Sequence, residues 1–254
     1  MSPWDNLGKQ KRMHEILVLN GSSYVSPYLE MAAELNLDIT ENPRRFLENP
    51  DRFAMVVFTG GADVSPEYYG EKEHHSCFTQ PKRDAEEFLL ANRAREYGIP
   101  MAGICRGAQL LCVFAGGKLV QDVRGHGRYH YLLVNEEDGS TEKYLVSSTH
   151  HQMQYPWDLP HTEYELIGWM ESPLSDHYTM NPTETFSVDE ASKNLRLEPD
   201  IVWYPKIKAL GAQYHPEYHK PGDQGWKLYQ KLLRRFMVPA IEELRRKNSA
   251  QATC

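Results

Sequence analysis

The stretch AGICRGAQLL, residues 102–111, constrains the fold most, because it sets one cysteine between two glycines where a strand changes to a helix. The apolar run 99–104 predicts a short buried strand, and residues 109–114 predict the helix that follows. Glycines lie two residues before and two after Cys105, which is the spacing of a nucleophile elbow. Such a turn exposes one thiol at a helix N-terminus, where the thiolate is favoured. The alternative is an unreactive cysteine buried in a plain turn, so the interpretation depends on its catalytic partners.

The order of the predicted elements before the elbow indicates a parallel sheet. Strands are predicted at 15–21 and 54–58, and helices at 28–35 and 82–97. Strands that alternate with helices need crossover connections, and these make neighbouring strands parallel.

Short runs of alternating polarity follow the elbow region and are typical of antiparallel strands. The elements predicted there are strands at 129–134, 143–146, 164–170 and 201–203, a strand at 210–214 that rejoins the main sheet, and a helix at 224–246. The predicted fold is α/β, a three-layer flavodoxin-like sandwich with a mostly parallel central sheet flanked by helices, plus a small antiparallel β insertion. We expect a single domain over residues 1–254, with its core at about 14–240. Polar tails are expected at both ends, the second frayed from Lys247 onward.

A histidine and a glutamate follow the strand predicted at 210–214. Pro216 forces the chain out of regular structure directly after His215. Glu217 lies two residues beyond His215, so both side chains point to the same side of an extended backbone. A thiol nucleophile needs a histidine base, and a carboxylate holds that base in the right tautomer. Alone, the pattern is a surface turn with an ordinary His-Pro pair; together with Cys105 it favours a catalytic site.

Acyl transfer also needs N–H donors for the oxyanion. One candidate is the main-chain N–H of Arg106, the residue after the cysteine. A second donor is expected from Gly60 or Gly61, which follow the strand predicted at 54–58, because glycine lets a main-chain N–H approach a ligand closely. Taken alone, this glycine pair fits a plain tight turn equally well.

These residues carry a family resemblance. The segments concerned are TGGADVSPEYYG (59–70), KRDAEE (82–87), GICRGAQLL (103–111), GGKLVQD (116–122) and QYHPE (213–217). Together they resemble the class I glutamine amidotransferase superfamily. Within it they are most similar to the peptidase C26 branch of γ-glutamyl hydrolases, which includes the γ-glutamyl-γ-aminobutyrate hydrolases. The resemblance covers roughly residues 15–240.

The resemblance implies roles for individual residues. It implies a triad of Cys105, His215 and Glu217, and oxyanion donors at Arg106 and the glycine pair, with Gly61 preferred over Gly60. Gln109 stands where the family has a glutamine that contacts the bound glutamyl group. The segment SSTHHQ (147–152) is close to the N-S-x-H-H-Q part of the C26 pattern, with serine in place of the asparagine. By this match His151 and Gln152 are also predicted to bind substrate.

Other features of the chain exclude several classes of function. The formal net charge of −7, without a basic block, disfavours nucleic acid and anionic membranes as partners. No apolar run approaches the ~18 residues that a membrane helix needs, and the N-terminal residues lack an apolar signal-peptide core. Four scattered cysteines indicate a reducing compartment, so we expect a cytoplasmic protein.

Several residue patterns receive no functional interpretation. Histidine pairs such as His150–His151 lack the further ligands of a zinc site, and a Cys–His–Glu triad needs no metal, so neither metal nor other cofactor is predicted. Cys112 is expected to pack in the core. Arg83, Asp84 and Glu86 begin a helix and are interpreted as a solvated face.

Two enzymatic functions fit the predicted site. In the first, a free-standing hydrolase cleaves the γ-glutamyl bond of a small conjugate through a γ-glutamyl thioester on Cys105. In the second, a glutaminase subunit passes ammonia to a separate synthetase. A non-enzymatic scaffold would predict a decayed triad, which this chain does not have. The oligomeric state is open, with a homodimer as one alternative.

Overall fold

The computed structural model describes residues 13–19 and 24–251. Its first half alternates strands and helices up to the cysteine of the elbow. The elements are β1 (Glu15–Val18), α1 (Leu29–Leu35), β2 (Asp38–Thr40), α2 (Pro43–Glu48), β3 (Phe53–Phe58), α3 (Pro81–Glu96), β4 (Met101–Ile104) and α4 (Arg106–Phe114). Four strands form parallel pairs in the spatial order β2-β1-β3-β4. β1, β3 and β4 are buried along their whole length, as expected for parallel strands covered on both faces.

The second half of the chain is richer in strands. Its elements are β5 (Lys118–Val120), β6 (Asp122–Val123), β7 (His130–Asn135), β8 (Thr141–Val146), β9 (Met153–Tyr155), β10 (Glu165–Met170), β11 (His177–Asn181), β12 (Glu184–Ser187), α5 (Lys193–Leu197), β13 (Pro199–Tyr204), β14 (Ala209–Ala212), α6 (Gln224–Leu232) and α7 (Val238–Gln251). β14 returns to the centre and pairs in parallel with β4, as the sequence predicted.

The nine-stranded central sheet is mixed. Beyond β14 its order continues β13-β10-β7-β8, and all of these pairs are antiparallel. The predicted α/β class is confirmed, but the strands assigned to a small insertion extend the main sheet. The short 3₁₀ turn Pro205–Ile207, closed by Lys208 at φ +50°, folds β13 back directly onto β14. A small separate antiparallel sheet is present, as predicted, but it is formed by β12, β11 and β6, strands that were not predicted at these positions.

The C-terminal helix is longer and less regular than predicted. A π-helical turn, Leu233–Met237, separates α6 from α7. Pro239 gives the physical reason, because it has no N–H to bond to the carbonyl four residues back. α7 continues to Gln251, five residues beyond the predicted end of the helix at 246. The predicted N-terminal tail, residues 20–23 and the last three residues lie outside the described part of the chain. Within residues 13–19 and 24–251, no helix is long and apolar enough to cross a membrane.

Candidate active site

The elbow is a strained turn between β4 and α4. Cys105 has φ +53° and ψ −108°, a conformation that L-residues rarely adopt, and its side chain is nearly buried. The two glycines permit the close packing that the turn requires. A Cβ on Gly107 would overlap the main-chain carbonyl of Phe58 in β3, and one on Gly103 would overlap the main chain of Gly107. The turn therefore needs glycine at both positions and holds one thiol at the start of α4.

The register of the central sheet brings His215 to this thiol. β14 pairs with β4 through Gly211–Gly103 and Ala212–Ile104, so the two strands end side by side. The chain then leaves the sheet, and the Nδ1 atom of His215 lies 2.6 Å from Oε1 of Glu217. A carboxylate only accepts hydrogen bonds, so Nδ1 carries the proton and Nε2 is left for the thiol.

The electrostatics of the site favour a charged imidazole. Burial lowers the pKa of His215, but the neighbouring thiolate of Cys105 and the hydrogen-bonded carboxylate of Glu217 outweigh burial and raise the pKa to about 10. The ring of Tyr218 stacks on the imidazole with centroids 4.4 Å apart and planes 5° apart. The site therefore stabilises an imidazolium beside the cysteine.

The glycine pair after β3 lies against the same imidazole. A Cβ on Gly60 would be 3.3 Å from Cε1 of His215 and 2.6 Å from the hydroxyl of Tyr24. Nη2 of Arg83 donates to the carbonyls of Thr59, at 3.3 Å, and of Gly60, at 3.0 Å. Carbonyl and N–H point in opposite directions across a trans peptide, so the N–H of Gly61 points away from Arg83.

A buried charge network lies behind the elbow, and the sequence analysis missed it. The fully buried guanidinium of Arg106 contacts the carboxylates of Asp84 and Glu87. Arg83 joins the network through Glu87, at 2.7 Å. The prediction of a solvated face is therefore wrong for Asp84, which is fully buried, although Glu86 is exposed. A sequence signal existed, because residues 84 and 87 share a helix face with the buried positions 91 and 94.

The comparisons with known proteins agree with this architecture. The family model of peptidase C26 matches residues 31–217. The chain belongs to the peptidase C26 family. A Lactococcus lactis subsp. cremoris protein named as glutamine amidotransferase-like, a YvdE homolog, is 37% identical over 137 residues, which are 47% of this chain and 71% of that protein.

Two further comparisons extend the range of similar proteins. The gamma-glutamyl-gamma-aminobutyrate hydrolase of Escherichia coli O157:H7 is 29% identical over 170 residues, which are 62% of this chain and 61% of the enzyme. The solved glutaminase domain of Trypanosoma brucei CTPS, with bound acivicin, superposes with a TM-score of 0.55 at 15% identity. That superposition covers 91% of this chain and 94% of the other, and it shows the shared fold.

Of the remaining predicted residues, Gln109 and Gln152 meet at α4, whereas His151 pairs with carboxylates elsewhere. Nε2 of Gln109 donates to the main-chain carbonyl of Gln152, at 3.0 Å, and to Oε1 of Gln213, at 3.4 Å. The side chain of Gln152 is fully buried and donates to Sγ of Cys77, at 3.1 Å. His151 is partly exposed and bonds Oδ2 of Asp63 at 3.1 Å, which raises the pKa of the histidine. The structure thus places the main chain of residue 152, rather than its amide group, next to Gln109.

The other described cysteines of this C26 chain have unreactive surroundings. Burial raises the pKa of Cys77 to about 11 and that of Cys112 to about 12. Cys112 is fully buried in the core, as predicted, and all three described cysteines are free. Among the described residues, no group of three or more His, Cys, Asp or Glu side chains is arranged to hold a metal ion.

Proposed function

We propose that this C26 protein is a cysteine hydrolase that cleaves γ-glutamyl amide bonds. The observation that carries the proposal is the hydrogen-bonded pair of His215 and Glu217 at the point where β14 ends, beside β4 and the strained turn of Cys105. A thiol, a histidine base and an orienting carboxylate are the groups that nucleophilic acyl transfer needs. The similarity to a gamma-glutamyl-gamma-aminobutyrate hydrolase supports γ-glutamyl conjugates as the substrate class.

The proposed reaction has two steps. The Cys105 thiolate adds to the γ-carbonyl carbon, and the carbon–nitrogen bond breaks as Nε2 of His215 gives its proton to the departing amine. The product is a γ-glutamyl thioester. His215 then takes a proton from water, the hydroxide adds to the thioester carbonyl, and the carbon–sulfur bond breaks to release glutamate and restore the thiolate. Glu217 holds the imidazole in one tautomer throughout.

The oxyanion of each tetrahedral intermediate is proposed to lie between two main-chain N–H groups. The N–H of Arg106 is at the first turn of α4, where helix N–H groups have no partner within the helix. Arg83 holds the carbonyls of Thr59 and Gly60, so the N–H groups of Gly60 and Gly61 are both directed away from it. The N–H of Gly61 is preferred on the family resemblance, with that of Gly60 next. Each such donor typically contributes about 3 kcal/mol to transition-state stabilisation.

The glutamyl group is proposed to bind beside Gln109, with His151 and Gln152 at the same pocket. We propose that the whole chain is one domain and that the reaction needs no cofactor. A cytoplasmic location is proposed because catalysis requires a reduced thiol and the described cysteines are free.

The second candidate is a glutaminase subunit that supplies ammonia to a separate synthetase. The similarity to a glutamine amidotransferase-like protein at 37% identity favours it. Both candidates share the thioester chemistry. They differ in the leaving group and in the need for a partner protein.

The test uses the purified wild type beside Cys105→Ala. Glutamate release is followed by mass spectrometry from L-glutamine, γ-glutamyl-γ-aminobutyrate, a γ-glutamyl dipeptide and poly-γ-glutamate. Rapid release from a conjugate, absent in the variant, supports the free-standing hydrolase. Slow release from glutamine alone supports the glutaminase. Glutamate release that persists in Cys105→Ala contradicts both candidates.

A further inference from the structure

The catalytic histidine stands on a loop that has left the sheet. β14 ends at Ala212, and Asp200 of β13 holds the next two residues by accepting hydrogen bonds from the main-chain N–H groups of Gln213, at 2.8 Å, and Tyr214, at 3.2 Å. His215 itself has φ −104° and ψ 89°, outside regular structure. Its main-chain groups therefore need partners from outside the ladder.

Ser147 supplies a partner for both groups, and the carbonyl also accepts a hydrogen bond from the main-chain N–H of Tyr218 on the same loop, at 3.2 Å. The side-chain hydroxyl of Ser147 accepts a hydrogen bond from the main-chain N–H of His215, at 3.3 Å, and donates one to the carbonyl of His215, at 3.0 Å. The main-chain N–H of Ser147 donates to Nε2 of His219 on the same loop, at 3.1 Å. Ser147 directly follows β8, at the far edge of the central sheet in strand order, so these bonds tie the loop to a different part of the molecule.

We propose that Ser147 is a positioning residue for the hydrolysis, because its hydroxyl fixes the main chain of His215 so that the imidazole stays aimed at Cys105. The inference rests on the proposed function. Glu217 cannot do this task, since it lies on the same loop and moves with it. Glu217 fixes the ring relative to the loop, and Ser147 fixes the loop relative to the sheet.

The chain offers a matched control in the next residue. Ser148 is 2% exposed against 3% for Ser147, and its hydroxyl also donates to a main-chain carbonyl, that of His126, at 2.8 Å. Ser148→Ala therefore removes a buried bond of the same kind without touching His215. Ser147 is also the position where this chain departs from the asparagine of the C26 pattern.

The experiment compares Ser147→Ala, Ser147→Val, Ser147→Thr and Ser148→Ala with the wild type. For Ser147→Ala and Ser147→Val we expect kcat to fall by about 10- to 100-fold with KM within about twofold, because misplacing a catalytic group affects the chemical step. Threonine has the shape of valine and keeps the hydroxyl, so Ser147→Thr should recover most of the lost kcat. Ser148→Ala should lower the midpoint of thermal unfolding about as much as Ser147→Ala does, but its kcat should stay within about twofold of the wild-type value.

A second readout needs no substrate. The rate at which iodoacetamide alkylates Cys105 at pH 7 reports how well the imidazole supports the thiolate, with His215→Ala as the reference for full loss. We expect alkylation to slow in Ser147→Ala and Ser147→Val to within about twofold of that reference, and to remain near the wild-type rate in Ser147→Thr.

The two proposals fail in different ways. If the wild type turns over substrate and both hydroxyl-free Ser147 variants retain its kcat and alkylation rate, the positioning role is overturned while the proposed function stands. An equal loss in Ser148→Ala also overturns it. If no substrate is hydrolysed, the proposed function fails, and alkylation still tests the contact between Ser147 and His215. Should Ser147→Ala not fold, the Val and Thr variants provide the comparison.

Discussion

The charge on His215 links single residues to the pH range of activity. Its pKa of about 10 depends on Cys105 and Glu217, which outweigh the opposing effect of burial. In the proposed reaction the imidazolium donates the proton to the leaving amine, so we expect activity to require a charged His215. The first prediction is that kcat/KM of the wild type falls only as pH rises toward about 10.

Glu217→Gln tests the source of this shift. The amide keeps the shape of the side chain but removes the negative charge, so the pKa of His215 should fall. We expect the alkaline limb of the kcat/KM profile to move down by about one pH unit or more. A profile in Glu217→Gln whose alkaline limb coincides with that of the wild type would show that the glutamate charge does not set the pKa.

At the level of the elements, the elbow depends on how closely α4 approaches β3. A methyl group at Gly107 would overlap the carbonyl of Phe58, and β3 is buried along its whole length and cannot move away. The second prediction is that Gly107→Ala lowers the free energy of unfolding by about 3 kcal/mol and abolishes glutamate release. Gly127→Ala is the control, since a Cβ there meets nothing within 4 Å. Equal urea midpoints for the two variants would contradict the prediction.

The contact between α3 and α4 depends on a buried ion-pair network that joins Arg106 to Asp84 and Glu87. Arg106→Met leaves the carboxylates of Asp84 and Glu87 without their buried cation. The third prediction is a loss of about 3 kcal/mol or more in the free energy of unfolding, because an uncompensated buried charge is costly. The control is Arg234→Met, which breaks a solvent-exposed pair with Glu34 and should cost under about 1 kcal/mol. Denaturant unfolding measures the free energy of unfolding of both variants. A loss in Arg106→Met that is no larger than the loss in Arg234→Met would contradict the prediction.

For the whole molecule, Asp200 makes stability depend on pH. The side chain is fully buried, and burial raises its pKa from 3.8 to about 7. Because the pKa of Asp200 is higher in the folded protein than in the unfolded chain, the folded protein favours the protonated carboxyl. The stability that protonated Asp200 contributes is complete below about pH 4 and is lost as pH rises through about 7. An ionised Asp200 therefore destabilises the fold at pH 8.

The fourth prediction is that Asp200→Asn stabilises the protein at pH 8. Asparagine keeps an acceptor for the N–H of Tyr214, and its side chain does not ionise. The free energy of unfolding should rise by about 2 kcal/mol at pH 8 and change little at pH 4. Urea unfolding at both pH values checks this. An equal effect at both pH values would mean that ionisation of Asp200 is not the cause.

Long apolar runs and turn residues allowed much of the fold to be predicted. The strands at 54–58 and 210–214 and the helix at 82–97 appear within a few residues of their predicted bounds. Short elements such as β5, β6 and β9 were missed, because two or three residues carry no measurable periodicity. The single helix predicted at 224–246 contains a π-helical turn, because the hydrophobic pattern does not register the missing N–H of Pro239.

The sequence alone determined the alternation of strands and helices and the glycine spacing that lets Cys105 occupy a strained turn. Both are local, since they depend on periodicity and on allowed backbone angles. Tertiary structure decided that β14 pairs beside β4, that Asp84 and Glu87 are buried against Arg106, and that Ser147 holds His215. These contacts join residues far apart in the chain. Their formation depends on sheet register and on the cost of leaving buried polar groups unpaired, which no local window of sequence contains.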